Sequence, residues 1–259
     1  MHTDLPKYIS VTDFNHSTDF EKKYRMVNGI PKVDYRFLDF TLGFQYNPVT
    51  VSQYALCLYD EYAEEKVRTK RDDFFLQVGW IENNKVDPDG ESATVPYHFP
   101  HQWYNMKAPW YSGMAQGQVA SVLLRAFLLT GDEKYKALAG RFLNFMLKPV
   151  GEGGTLAKTP EGDFWIEECR TEKPSLILNG HLYGLIGLTE YCKIDDHPFF
   201  RDMRDKITDS TLRLIPLYEK DHWLIYARDV NVNKCNSKYM GLQILEIKHL
   251  SRTYRQTGI

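Results

Sequence analysis

The stretch from Gly113 to Leu147, GMAQGQVASVLLRAFLLTGDEKYKALAGRFLNFML, sets two helix-length apolar periods either side of one Gly-Asp break. Val119, Leu123, Ala126 and Phe127 recur at three- and four-residue spacing, which puts them on one helix face. Gly131 ends the first helix and Asp132 caps the second. The product is a helical hairpin with a tight turn. Each hairpin needs a neighbour to cover its apolar face, so the question becomes how many more the chain holds.

The same grammar recurs. Pro48 sits near the start of a helix carrying Val51, Tyr54, Ala55, Leu58 and Tyr62, and a second carries Phe74, Phe75, Val78 and Ile81 before the turn signal DPDG at 87–90. Pro174 opens a helix running to about Lys193, His197 and Pro198 open another running to Tyr218, and a last one runs from near Ser237 to Tyr254. Its core candidates are Leu242, Leu245, Ile247 and Leu250. About seven helices in antiparallel pairs, with irregular loops at one end, predict an all-α fold. The arrangement fits an incomplete α/α toroid of helical hairpins better than a four-helix bundle. Short β elements are expected only in loops, as a hairpin within 149–163 and a strand-like stretch in 221–235. Residues 1–45 carry Phe14, Phe20, Tyr24, Tyr35, Phe37 and Phe40 without a long period. They read as an irregular arm with at most short helices, laid over a helical domain at 46–259.

Composition narrows the function classes. A formal charge of −2 argues against nucleic-acid binding through a general electrostatic footprint, so an anionic ligand needs local cations. The chain is 14% aromatic, with 17 Tyr. That suits either a Tyr-rich core or a cleft lined with rings and hydroxyls. Cys57, Cys169, Cys192 and Cys235 are widely spaced and form no ligand cluster, so neither a disulfide framework nor a metal site is expected. No basic-then-apolar leader and no membrane-length run are seen, and a cytoplasmic location is the expectation.

Chemistry concentrates in 163–187, DFWIEECRTEKPSLILNGHLYGLIG. Glu167 and Glu168 stand together beside Phe164 and Trp165, followed by Cys169, Arg170 and Lys173. Residues 91–111 add His98, His101, Trp103, Tyr104, Trp110 and Tyr111, rings that either plug the end of the fold or form a substrate rim.

Three stretches together resemble the helical C-terminal domain of the D-glucuronyl C5-epimerase family. They are PWYSGMAQGQVASVLLRAFLLTGDEKY at 109–135, PSLILNGHLYGLIGLTEY at 174–191, and LIYARD at 224–229 with its following helix. GFQYNPVTVSQYALCLYDEY also resembles the segment that precedes the family's β-rich domain, which is absent here. By that resemblance, Glu168 falls on the family's active-site glutamate and Asn179 on the asparagine of its L-N-G motif. Tyr226 matches a tyrosine before a nearby arginine, here Arg228, and Tyr239 matches the tyrosine opening the last helix. Two departures stand out. The family's Y-H-x-x-H becomes Tyr239, Met240 and Gln243, and the tyrosine directly after the glutamate is Cys169.

The resemblance implies proton removal and return at C5 of a glucuronate residue in an anionic polysaccharide of the heparosan type, with no organic cofactor. A homodimer is also compatible with it. Glu168, Tyr226 and Tyr239 are the candidate catalytic groups. Arg228, Asn179, Lys107, Trp110, Tyr111, Gln116 and Arg170 are the candidate substrate contacts, with Arg228 able to clamp a carboxylate bidentately. Plainer roles stand beside these. The two glutamates also read as a surface pair, Asn179 as a helix cap, Arg228 as a surface ion pair, and the tyrosines as satisfied core residues. A uronate lyase begins with the same loss of the C5 proton, and a binding module without catalysis fits Cys169 and the missing histidines.

Overall fold

A computed structural model of the protein describes residues 5–10, 16–171, 173–228 and 235–255, the side chains as far as residue 252. Phe14 of the arm and Asp229 of the LIYARD stretch lie outside the described residues. The chain is mostly helical with minor strands. Among the described residues the helices are α1 (Ser17–Lys23), α2 (Pro48–Glu65), α3 (Arg68–Asn84), α4 (Gly113–Thr130), α5 (Glu133–Leu147), α6 (Leu178–Ile194), α7 (Pro198–Leu214) and α8 (Ser237–Arg255).

The caps explain several boundaries. Asn47 Oδ1 accepts from the amides of Val49 and Thr50 at 2.8 and 3.2 Å and starts α2. Asp132 Oδ1 accepts from Lys134 N at 3.0 Å and starts α5, after Gly131 has ended α4 in the left-handed conformation. The helix expected from Pro174 begins instead at Leu178. The amides of Ser175 and Leu176 donate to the Glu167 carboxylate, and Leu176 adopts φ 49°, so 174–177 cannot be helical. The helix expected to run to Tyr218 ends at Leu214 and tightens into a 3₁₀ turn. Pro216 there has no amide to donate.

The irregular arm is a second correction. Besides α1, residues 25–46 form an antiparallel sheet of β1 (Arg25–Val27), β2 (Ile30–Asp34) and β3 (Phe44–Tyr46). Asn28 and Gly29 both take positive φ, 50° and 75°, at the turn between β1 and β2. This is the backbone a tight two-residue hairpin needs. The loop strands fall near the expected stretches but overrun them: β4 (Leu156–Lys158) pairs with β5 (Phe164–Ile166), which lies past residue 163, and β6 (Glu219–Lys220), ahead of residue 221, pairs with β7 (Trp223–Leu224).

Helices α2, α4, α6 and α8 pack in succession, and α3, α5 and α7 lie against them. The tightest crossing is α4 on α6. A side chain at Gly117 would meet the backbone of Gly184 at 2.7 Å, so the two helices touch main chain to main chain. Apolar residues of α2, α4 and α6, among them Leu56, Leu123 and Leu188, fill one continuous core. A smaller cluster of Tyr35, Tyr97, Phe99 and Trp110 forms beside it, under the β1–β3 sheet and the 91–111 loop. The cleft opens between these two clusters.

Candidate active site

Glu168 is placed by its neighbour. Glu167 is buried, 1% exposed, and its carboxylate accepts from Ser175 N at 2.8 Å, Ser175 Oγ at 2.5 Å and Leu176 N at 3.2 Å. Its amide donates to Thr155 O and its carbonyl accepts from Gly113 N. The surface-pair reading therefore fails for Glu167, which ties β5, the start of α4 and the 174–177 segment together. Glu168, next in the chain, then points into the cleft against the first turn of α6.

A cleft of about 910 Å³ is lined by Glu168, Cys169, Asn179, Tyr226 and Tyr239, with the rings of the 91–111 loop as one wall. That size suits a small organic ligand. Glu168 keeps some surface on the cleft, but its Oε2 is buried and has no hydrogen-bond partner in the described residues. Burial, reinforced by the Glu167 charge, pushes its carboxyl up to about 7. A base poised near neutrality is what proton abstraction requires.

Tyr226 and Tyr239 stand edge to face with ring centroids 5.2 Å apart. Burial and then the Glu168 charge raise both phenols above their ordinary value, Tyr226 well above it. Both therefore stay protonated and suit the donor role. Asn236 Oδ1 accepts from Tyr239 N at 2.9 Å, which holds Tyr239 at the opening of α8. Asn179 is 2% exposed with an unpartnered Oδ1, and α6 has no side-chain cap. The cap reading fails, and its amide faces the cleft as a free polar contact. Cys169 is 3% exposed, and burial followed by the two neighbouring carboxylates drives its thiol well above the usual range. It is no nucleophile at neutral pH.

The other expected contacts divide. Trp110 is part of the wall, stacked on Tyr97 at 3.8 Å with its indole N–H donating to Phe99 O at 2.7 Å. Lys107 and Arg170 line a separate groove of about 780 Å³, which shares Trp103, Tyr104 and Trp110 with the cleft and so runs into it. Three assignments are corrected. Arg228 donates to Glu161 at 3.2 and 2.5 Å, away from the cleft, and that carboxylate holds its charge. Gln116 is fully buried, donating to Ser112 O and accepting from Val95 N, so it fastens the α4 start. Tyr111 packs on Phe145 and under Arg170, outside both cavities.

Some site residues escaped the sequence reading. Asn47 Nδ2 donates to the Tyr35 hydroxyl at 2.6 Å, and the Tyr97 hydroxyl donates to Asn47 Oδ1 at 3.1 Å, a polar group of residues lining the same cleft as Glu168. The N-cap position marked Asn47 only as a helix starter. His181, inside the L-N-G stretch, is fully buried and accepts from Ile166 N at 2.9 Å. It holds β5 on α6 and does not reach the cleft. Among the described residues no cluster of His, Cys, Asp or Glu is arranged to hold a metal ion, and no helix is long and apolar enough to cross a membrane.

The model of the family described as D-glucuronyl C5-epimerase C-terminus matches residues 89–258, the part of the chain that carries Glu168, Asn179, Tyr226 and Tyr239. A D-glucuronyl C5-epimerase of Caenorhabditis elegans is 32% identical over 181 residues, covering 63% of this chain and 29% of the nematode protein. The chain thus spans less than a third of that relative. An uncharacterised protein of Methanocaldococcus jannaschii is 24% identical over 233 residues, 84% of this chain and 74% of its own length. Among solved structures, a family 76 α-mannanase of Bacteroides thetaiotaomicron superposes with a TM-score of 0.62 at 10% identity, over 93% of this chain and 62% of the other. Cellobiose 2-epimerase of Bacillus thermoamylovorans gives 0.53 at 11% identity, over 93% and 72%. Such low identities carry the fold alone. The family match covers well over half of the chain and includes the whole glutamate–asparagine–tyrosine set, and the chain belongs to the D-glucuronyl C5-epimerase C-terminus family.

Proposed function

We propose that the protein is a carbohydrate epimerase of the uronate C5 type, built on an incomplete α/α toroid and acting on an anionic polysaccharide. The observation that carries the reading is the convergence of Glu168, Asn179, Tyr226 and Tyr239 on one cleft, with Glu168 held near neutrality by burial. Epimerisation removes the proton beside the uronate carboxylate and returns one to the other face. Glu168 is the base, because its carboxylate form is available close to pH 7. Tyr239 or Tyr226 returns the proton as a neutral phenol, and the Asn179 amide hydrogen-bonds the sugar or the enediolate-like intermediate. Arg228 is engaged by Glu161, so charge on the substrate carboxylates falls to Lys107, Arg170 and Lys173 along the adjoining groove. The C. elegans relative supports the reaction class by its name and by its identity to this chain.

The test incubates the protein with a heparosan-type polymer in heavy water. Deuterium at C5 with intact chains is the expected result, and unsaturated chain ends identify a lyase. The second reading, a binding module without turnover, is favoured by Cys169 and by the diversion of Arg228. Polymer binding with neither exchange nor cleavage would establish it and sink the epimerase.

A further inference from the structure

Behind the cleft floor the interior is unusually polar. On α8, Tyr239, Gln243, Glu246 and His249 follow one another in steps of four, three and three residues, which keeps them on one side of the helix. Tyr239 lines the cleft, Gln243 and Glu246 are 0% exposed, and His249 is only half-buried. The row therefore runs from the cleft through the core to His249, a partly exposed residue whose Nε2 is buried. Both oxygens of Glu246 and the Nε2 of Gln243 have no hydrogen-bond partner within the described residues. From α4, Gln118 is 0% exposed with both side-chain amide atoms unpartnered. Ser121 lies one turn further on, and its hydroxyl and that of Tyr8 are likewise buried with no hydrogen-bond partner within the described residues. Buried polar atoms gathered in this way are bonded by ordered water in folded proteins.

We propose that this row is a proton path, with Glu246 as its central relay, connecting Glu168 to solvent at His249 on the far side of the fold. Rests of three or four residues on a helix face are about 5–6 Å apart, a gap that one bridging water spans. The need for such a path follows from the reaction read above, on which the turnover part of this inference rests. A base that has taken the C5 proton must shed it before it acts again, and bound polymer covers its route through the cleft. In one passage Glu168 gives its proton to the first water. Glu246 takes a proton on its carbonyl oxygen as its hydroxyl releases one onward, and His249 accepts that proton on its imidazole and passes it to solvent. Glu168 is then again a carboxylate, and the tyrosinate left by proton return regains its proton from solvent through the same row, which Tyr239 heads at the cleft, so every group ends as it began.

The electrostatics agree with the geometry. Glu246 is faced by Glu168, by Tyr8 of the N-terminal segment and by Tyr183 of α6. Burial, then the Glu168 charge, hold Glu246 in its acid form, which is the form able to accept and donate at once. His249 is faced by Glu190, Arg125, Lys193 and Arg252, and burial keeps its imidazole neutral and able to accept.

Two readouts test the path. In the protein alone, raised to about pH 9 so that Glu168 is ionised, infrared spectroscopy should still show a carboxylic-acid carbonyl band, lost in Glu246→Gln. No such band, or a band unchanged in that variant, overturns the proposal whatever the reaction proves to be. In turnover in heavy water, Glu246→Gln keeps the shape and hydrogen bonding but cannot pass a proton. Over many turnovers it should lower solvent deuterium at C5 per inversion by roughly tenfold, because the proton held on Glu168 then resets the tyrosinate and is returned to C5 in the next turnover. Gln118→Leu, a second block placed on α4, should act in the same direction. Wild-type ratios in both variants overturn the path. If the wild type itself neither exchanges nor inverts, the epimerase reading falls, and the infrared band alone decides whether Glu246 is the internal acid.

Discussion

Glu168 meets two demands that pull against each other: it must ionise to act as a base, and it sits where ionisation is unfavourable. Its folded value is raised from 4.5 to about 7, so the folded protein binds this proton more tightly than the unfolded chain. The stabilisation is complete below pH 4.5 and is lost as pH rises through about 7. Above that, the folded state carries a poorly solvated carboxylate beside Glu167, at a cost of about 3 kcal/mol. Glu168→Gln removes the titration. The variant should lose C5 exchange and yet gain about 1–3 kcal/mol over the wild type at alkaline pH, with little gain near pH 4.5. Urea unfolding at the two pH values measures this, and an equal difference at both would remove the charge argument. Exchange by the wild type should rise with pH through about 7 as the base form fills.

At the scale of elements, α6 shows why a glycine follows the site asparagine. A side chain on Gly180 would lie 2.5 Å from Glu168 Oε2 and closer still to its Cβ. In an isolated helix alanine is favoured over glycine by about 1 kcal/mol, so Gly180→Ala should leave helicity intact. It should nevertheless reduce exchange at least tenfold by pushing Glu168 aside, and full activity with a folded spectrum would refute the clash. The next residue, His181, fixes the same helix to β5. Its Nδ1 accepts from Ile166 N, so its proton is on Nε2, facing Thr211 Oγ1 at 2.8 Å. Burial depresses it to about 3. A base so depressed contributes stability that is full above its unfolded value of 6.5 and declines as pH falls towards 3. Between 4.5 and 6.5 this slope opposes that of Glu168. Stability of Glu168→Gln should therefore fall more steeply with acid over that window than stability of the wild type. Parallel curves would remove the Glu168 titration, and a Glu168→Gln stability that does not fall with acid over that window would deny His181 its neutral role.

The same element shows what was readable from residues. Helices α2, α4 and α5 follow their periods and caps because most of their packing is local in pattern. The α6 start was not readable, since it depends on which groups the Glu167 carboxylate captures eight residues downstream. The β1–β3 sheet was missed because its strands are three to five residues long and half-buried, without alternation. Its Asn28–Gly29 turn was the available signal. In the site, Glu168, Asn179 and the two tyrosines stand on motif positions. Arg228 and Gln116 went astray because a side chain's partner across the fold, Glu161 or Val95, leaves no mark near it in the chain. Glu246 stayed hidden because its position on α8 has the spacing of the core residues Leu242 and Leu250 around it.

Over the whole molecule, one buried ion pair joins the helical layers to the N-terminal segment. Arg125 on α4 meets Glu190 on α6 at 2.9 and 3.0 Å, both at 0% exposure, and donates to Pro6 O at 2.9 Å. Tyr8 N donates to Asp60 on α2 at 3.0 Å, and the Tyr183 hydroxyl donates to Ile9 O. The segment is thus held by side chains of three helices, and Arg125 is the cation among them. Burial raises Asp60 to about 6 even though Arg125 pulls it down, so removing the arginine would raise it further. Arg125→Met leaves Glu190 buried without its partner, and a loss of about 3–5 kcal/mol follows. Arg125→Met combined with Glu190→Met removes both charges and should recover most of that loss. Protease cleavage within residues 5–10 should quicken in the single variant, because its carbonyl anchor has gone. Urea midpoints of the wild type, both single variants and the double variant close the cycle. A double variant no more stable than Arg125→Met would show that the arginine acts by packing against the Tyr8 and Tyr59 rings rather than by compensating the buried carboxylate.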